Sequence, residues 1–516
     1  MKNKPRSPES TGLNPAVFYT SAFAVLILSA FTIFFPAESA ASLSLTQKFM
    51  TDTFSWYYTL LIVICLIFIF WLAFSRFGRI RLGNANEKPD FSYFTWVAML
   101  FSAGIGIALV YFGAYEPLDH YFSQPAIQAE TGEAASQAMV ITFLHWGVHG
   151  WALYALMAVV LAYYAFVEEK PLALRTALYP LFGEKLTNGW VGHCVDSFGI
   201  LATIIAMVTN LGIAALLMRS GLSEAFGFSN SMGMLIVLVV VMMLAAAFIV
   251  IFGIEKGIAT LSKVNTGLLC LLLLFVFLAG PTFHIIDGIV QNIGDYLTNF
   301  VHLSFNLYTY DKMQSNLGIY ENVHQWRGLW TIFYWAWWIA WAPFVGLFIA
   351  RISKGRTIRE LIFGVLLVPL GFTLLWLAVF GNTALYHVFF EGARDFGISV
   401  VNEPYMALYH LLEQLPFAKI TIILAIIISF VLFIAPVDSG SMMISNLGMM
   451  QNDTDQDAPI WMRLFWCLAT TIVTIGLFIS GNFEAIQTAV VLCGLPFSFV
   501  IICYIIALLK SLLKNN

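Results

Sequence analysis

The densest aromatic run in the chain is Trp335-Ala336-Trp337-Trp338-Ile339-Ala340-Trp341-Ala342-Pro343-Phe344. On a helix, Trp337, Trp341, Phe344 and Phe348 fall at i, i+4, i+7 and i+11 and make one continuous aromatic face. Trp146, Trp151 and Tyr154 form a second aromatic set. Two such walls facing each other make a box for a quaternary ammonium, held by cation–π attraction worth about 2 kcal/mol or more when desolvated. The box needs no counter-charge, which fits the absence of Asp and Glu from the central parts of these stretches. A primary amine would require hydrogen-bond acceptors instead, because an unpaired ammonium inside a membrane is costly.

Other chemistry is thinner. His145 and His149 have i, i+4 spacing, but no Cys, Asp or Glu joins them on that turn, so no metal site is expected. Glu116, Asp196 and Asp438 lie near the ends of apolar stretches and read first as gate, cap or loop contacts. With His145 they are the titratable candidates for coupling to a proton. No GxSxG, Walker A or HExxH signature stands in its required context, so neither an enzyme nor a cofactor is indicated. The cysteines, Cys65, Cys194, Cys270, Cys467, Cys493 and Cys503, show no CxxC spacing and read as free thiols in apolar surroundings.

The elements that carry these residues are membrane helices. Of 516 residues 60% are hydrophobic and only 10% charged, against about 25% charged in soluble domains. A net charge of −4 with dispersed basic residues gives no nucleic-acid surface. Apolar runs near the length that crosses a bilayer number about twelve: 15–35, 56–76, 93–113, 138–167, 192–218, 232–253, 264–283, 329–350, 359–380, 418–439, 462–480 and 487–509. Trp belts mark membrane interfaces, but Trp337, Trp338 and Trp341 lie near the middle of their run. Segments 284–328 and 391–415 have room for short amphipathic helices outside the membrane.

With the N-terminus inside, Arg76, Arg79, Arg81, Lys88, Arg351, Lys354, Arg356 and Arg359 fall in the cytoplasm, while Lys48, Arg219, Lys312, Arg327, Arg394 and Lys419 remain outside. The positive-inside rule then places both termini in the cytoplasm of a multi-pass protein of a cell membrane, read as a bacterial inner membrane. The organisation expected is a tail 1–14, a transporter domain 15–509 and a tail 510–516.

Two runs are interrupted by helix-breaking residues: the third at Gly104 and Gly106, the eighth at Pro343 and Gly346. They stand five runs apart, as corresponding helices of two inverted repeats would, roughly 93–283 and 329–509. Such a pair is the sequence pointer to a transporter binding site.

The string from Thr331 to Glu360, the segment from Gly104 to Tyr121 with Glu116-Pro117-Leu118-Asp119-His120-Tyr121, and the run from His145 to Tyr154 resemble the betaine/carnitine/choline transporter family. The resemblance covers about residues 15–509 and implies an all-α, LeuT-like fold of two inverted five-helix repeats preceded by two extra helices, often assembled as homotrimers. It implies a box of Trp146, Trp151, Tyr154 and Trp338, with Trp337, Trp341 and Phe348 along the permeation route. The unwound stretch Gly104, Ile105, Gly106, Ile107 and Ala108 would offer backbone N–H groups to a substrate carboxylate or hydroxyl.

Departures from the family pattern carry expectations of their own. Where sodium-coupled members resemble one another in a Thr-Ser pair, this chain has Ala435-Pro436, and in the fifth span it has Thr203 but Met207. Sodium is a hard cation that needs oxygen ligands, so proton coupling or solute exchange is favoured over sodium. The third glycine of the family run is Ala108, where choline-type members often carry an acid, and this leans toward glycine betaine ahead of choline or carnitine. The end at Lys514-Asn515-Asn516 lacks the long charged tail through which some members sense osmotic stress. The reading is thus an alternating-access transporter; a passive channel is opposed by bulky aromatics, and a non-transporting receptor by the lack of an output domain.

Overall fold

The computed structural model describes residues 12–84, 86–104, 106–252, 255–450 and 458–514, with the side chains of 102–104, 255–262, 435, 436, 438 and 482 left out. Ile105 therefore lies outside the described residues, as do the side chains of Ala435, Pro436 and Asp438. In chain order the helices are α1 Pro15–Phe34, α2 Pro36–Phe74, α3 Tyr93–Gly104, α4 Ile107–Phe122, α5 Gly132–Trp146, α6 Val148–Ala162, α7 Tyr179–Thr187, α8 Trp190–Phe226 and α9 Met232–Phe252. They continue with α10 Glu255–Ala279, α11 Thr282–Phe305, α12 Val323–Arg327, α13 Phe333–Ile352, α14 Ile358–Phe389, α15 Arg394–Asn402, α16 Ala407–Glu413, α17 Ala418–Leu447 and α18 Ile460–Lys514. The only strands among the described residues, β1 Ser123–Pro125 and β2 Met313–Ser315, pair antiparallel with Ser123 opposite Ser315.

Among the described residues, ten helical stretches are long and apolar enough to cross a membrane; α5–α6 form one, and α18 supplies two, Ile460–Gly481 and Phe483–Lys514. The pair α10–α11, bent by 108°, makes an eleventh if it is counted as one broken span. The interrupted α3–α4 stretch, the third of the about twelve runs expected from hydropathy, is not among them, because neither α3 (12 residues) nor α4 (16 residues) is long enough by itself. A long apolar helix can cross a membrane because its own backbone hydrogen bonds leave nothing for lipid to satisfy. Local chemistry sets the ends. Asn14 caps α1 ahead of Pro15, Thr357 and Glu360 close a capping box on α14, and Gly227 ends α8 at φ 71 in the left-handed region.

Helix packing relies on small residues, as is usual where lipid is no less apolar than the core. A Cβ on Gly346 would sit 2.6 Å from Met157 Cβ, and one on Gly494 would sit 3.1 Å from the Ala336 carbonyl oxygen, so α13 lies tightly on α6 and on α18. α11 turns aside after Pro281 and presents Phe283, Val290, Leu297 and Val301 outward, as an amphipathic helix lying on the bundle does.

Candidate substrate site

Three interruptions of helix bring the aromatic residues together. α3 ends at Gly104 and α4 begins at Ile107 with Gly106 as an extended N-cap, so the first-turn N–H groups of α4, including that of Ala108, open inside the bundle. α5 ends at Trp146, and Gly147, at ψ −149, kinks the chain before α6. Gly147 is required there: a Cβ would lie 2.2 Å from the Phe143 carbonyl oxygen and 2.5 Å from Tyr296 Oη on α11. A π-helical turn, Gly328–Ile332, precedes α13. Such turns are frequent at functional sites.

The structure gathers Trp146, Trp151, Tyr154 and Trp338 around the Trp338 ring. Its centroid is 4.8 Å from Tyr154, 5.5 Å from Trp151 and 6.4 Å from Trp146. Trp151 meets Tyr154 edge-on at 5.5 Å. All four side chains are buried, with 8% or less of their surface exposed. Trp337 stands beside this group, 6.1 Å from Trp146, and stacks on Phe333 at 5.2 Å. Trp341 lies further along α13 against Phe344, and Phe348, one more turn on, is only partly buried.

A polar frame holds the box. Trp338 Nε1–H donates to the His145 carbonyl oxygen (2.9 Å), and Trp146 Nε1–H donates to Glu116 Oε2 (2.9 Å). Tyr334 Oη–H donates to the same carboxylate oxygen (2.5 Å). His145 Nδ1–H donates to Glu116 Oε1 (2.6 Å), leaving Nε2 to accept from the Thr331 hydroxyl (3.0 Å). Glu116 and His145 are thus neighbours of the box and of each other. Tyr334, one position outside the tryptophan run, was not singled out by sequence. Neither were Asp119 and His120, although Glu116 and His120 stand at i, i+4 on α4, the spacing that signals a shared face. Asp119 accepts from Tyr320 Oη (2.9 Å), which in turn accepts from Trp330 Nε1 (2.8 Å).

Other candidates lie elsewhere. Asp196 pairs with Arg175 (Nε to Oδ2, 2.6 Å) near the start of α8, a contact that fastens the loop before α7 rather than one facing the box. His149 turns from His145 toward α11, where its Nε2 meets the Ser304 hydroxyl at 2.7 Å. Met207 is buried on α8, and a Cβ on Gly440 of α17 would lie 2.7 Å from its sulfur. Thr203 keeps its hydroxyl on the Gly199 carbonyl of its own helix (2.8 Å).

A family description, "BCCT, betaine/carnitine/choline family transporter", matches residues 16–516. The chain belongs to this family. Among its relatives in the family is the "Osmo-independent choline transporter BetT1" of Acinetobacter baylyi, 54% identical over 505 residues, 98% of this chain and 94% of the relative. The "High-affinity choline transport protein" of Escherichia coli K12 is 40% identical over 512 residues, 99% of this chain and 74% of the relative. A "Glycine betaine transporter" of Acinetobacter baylyi is 38% identical over 506 residues, 98% of this chain and 74% of the relative. This family member is therefore a multi-pass membrane transporter and not an enzyme.

Proposed function

We propose that this chain carries small trimethylammonium solutes across a cell membrane by alternating access, choline first and glycine betaine second. The observation that carries this reading is the cluster of Trp151, Tyr154 and Trp338 with Trp146, four buried aromatic rings joined through Trp338. Faces of Trp and Tyr attract a desolvated onium ion. In the present geometry the rings rest on one another, so admitting a trimethylammonium group requires Trp338 to separate from Tyr154 and Trp151. Two buried indole N–H groups beside the box, those of Trp151 and Trp337, have no hydrogen-bond partner and suit a substrate hydroxyl or carboxylate.

Choline is put ahead of the glycine betaine suggested by Ala108 because the relative named for choline is 54% identical and the one named for glycine betaine 38%. Transport independent of sodium, driven by a proton gradient or by exchange, fits the methionine at position 207, where the resemblance implies a hydroxyl in sodium-coupled members. The distribution of basic loop residues supports cytoplasmic termini.

The test is equilibrium binding to purified protein of choline, glycine betaine, ethanolamine and 3,3-dimethylbutan-1-ol, the last having the shape of choline without its charge. Choline should bind more tightly than its neutral isostere by a factor of about thirty or more, corresponding to about 2 kcal/mol of cation–π attraction. Equal affinities for choline and the isostere would refute the box.

A further inference from the structure

We infer that Glu116, His120 and His145 form a site for a divalent transition-metal ion of the zinc class, placed against the back of the aromatic box. Glu116 and His120 stand one turn apart on α4, with His120 Nε2 3.5 Å from Glu116 Oε1. His145 approaches the same oxygen from α5 at 2.6 Å. The three ligand atoms lie within 4.8 Å of one another, and all three side chains are buried. Zinc bound tetrahedrally at about 2.0–2.2 Å holds neighbouring ligand atoms roughly 3.4 Å apart. The Glu116–His120 separation already has that value; to complete the set, His145 must withdraw from Glu116 by about 0.8 Å while its ligand nitrogen comes to about 3.4 Å from that of His120.

The second observation is His120 itself. Its ring is fully buried, and neither Nδ1 nor Nε2 has a hydrogen-bond partner. Imidazole nitrogens in the interior are nearly always satisfied, and this one faces a carboxylate oxygen without hydrogen-bond geometry. The surroundings match an outer shell of a metal site, where partners orient the ligands. His145 Nε2 is held by the Thr331 hydroxyl, and Glu116 Oε2 by Trp146 and Tyr334. Asp119 Oδ1 stands 3.9 Å from His120 Nδ1, the place of the carboxylate in a carboxylate–histidine–metal chain. Two imidazoles and one carboxylate select zinc-class ions over calcium or magnesium. Among the described residues no Lys or Arg is paired with Glu116 or Asp119, so no side-chain cation competes for the Glu116 carboxylate.

A metal shared by Glu116 Oε1 and His145 Nδ1 requires the imidazole proton to sit on Nε2, where it donates to the Thr331 hydroxyl, and it draws on the carboxylate that fixes Trp146. Occupancy therefore alters the box and should inhibit transport. The experiment titrates Co²⁺ into purified full-length protein and reads its visible d–d absorption, which does not depend on the solute carried. One equivalent should give the spectrum of a low-coordinate nitrogen–oxygen site, and Zn²⁺ should displace it. His120→Gln should weaken Co²⁺ binding at least about tenfold, as loss of a ligand or its support does. The paired variant His387→Gln with His410→Gln removes two other His–carboxylate pairs and should leave the spectrum unchanged. Zinc inhibition of uptake, taken as the ratio with and without zinc in each protein, should fall in parallel. The proposal is overturned if no such spectrum forms, if it survives in His120→Gln protein of unchanged melting temperature, or if it is lost in the paired control variant while that protein keeps its melting temperature.

Discussion

A methyl group on Gly150 would lie 2.1 Å from Cε2 of Trp338. The ring that every other wall of the box touches thus rests on bare α6 backbone. Gly150→Ala must push that ring away by more than an ångström to reach ordinary contact, uncoupling it from Tyr154 and Trp151. Because α6 has helical backbone at this point, alanine is compatible with the conformation, and the damage falls on the site. Choline affinity should drop about thirtyfold, the loss of one desolvated cation–π contact, with the protein still folded. Calorimetry reads the affinity and circular dichroism the fold; wild-type affinity in this variant would remove Trp338 from the box.

Trp338→Ala and Trp338→Phe separate the ring from its hydrogen bond. Alanine removes the face altogether and should weaken binding by about thirtyfold or more, a loss of about 2 kcal/mol or more. Phenylalanine keeps an aromatic face but leaves the His145 carbonyl without its donor, so binding should persist at a several-fold higher Kd. Equal loss in both variants would show that the hydrogen bond matters more than the aromatic face.

Glu116→Gln tests the frame behind the box. The amide can still accept from Trp146 or Tyr334, but its NH₂ group then opposes the donor at His145 Nδ1. Hydrogen bonds to an ionised group contribute about 1.5–3 kcal/mol, so KM for uptake should rise roughly ten- to a hundredfold. Unaltered KM would mean that packing alone orients Trp146.

Away from the membrane spans, Arg394 grips Glu130 through both carboxylate oxygens at 2.7 and 2.9 Å, and Asn316 adds a third donor at 3.0 Å. The Arg394 contact, first among the causes, holds the Glu130 carboxyl below its usual range. A depressed carboxyl stabilises the fold above the unfolded pKa, and this contribution is lost as pH falls through the lower folded value. Arg394 is half exposed, so the effect is small. Glu130→Gln should lower the melting temperature at pH 7 by on the order of 1 °C, and the difference should vanish in acid below the ordinary glutamate range. A difference that persists in acid would point to packing rather than charge.

The membrane spans were legible because about twenty apolar residues in a row have few alternatives to a crossing helix, and the break between α3 and α4 was legible in the glycines at 104 and 106. The box was readable in part. Helical periodicity alone grouped Trp337 with Trp341 and Phe348, whereas the ring at the centre is Trp338, on the adjoining face of α13; only the family resemblance pointed to it. Contacts between helices leave no spacing in the sequence. Glu116 meets His145 across 29 positions and Tyr334 across 218, and nothing local to Gly150 announces that an indole lies on it. His145 and His149 looked like a pair by spacing, but the kink at Gly147 and the arrival of α11 send them to different partners.

Uptake should not require sodium. A sodium ion stripped of water needs several oxygens, and at position 207 this chain offers a thioether that is buried against Gly440. The Thr203 hydroxyl one turn earlier is already donated to its own helix, so its lone pairs would remain for an ion, but a single side-chain oxygen beside a methionine makes a poor site for so hard a cation. Purified protein in liposomes should therefore accumulate labelled choline equally well when sodium is replaced by N-methylglucamine, and an inward proton gradient or preloaded unlabelled choline should provide the drive. Met207→Ser places a hydroxyl where the thioether stood and shortens the side chain facing α17. If the absence of a ligand is what excludes sodium, this variant should gain a measurable sodium dependence that the parent lacks. Concentrative uptake that appears only with sodium in the unaltered protein, and is no different in Met207→Ser, would mean that oxygens away from position 207 bind the ion.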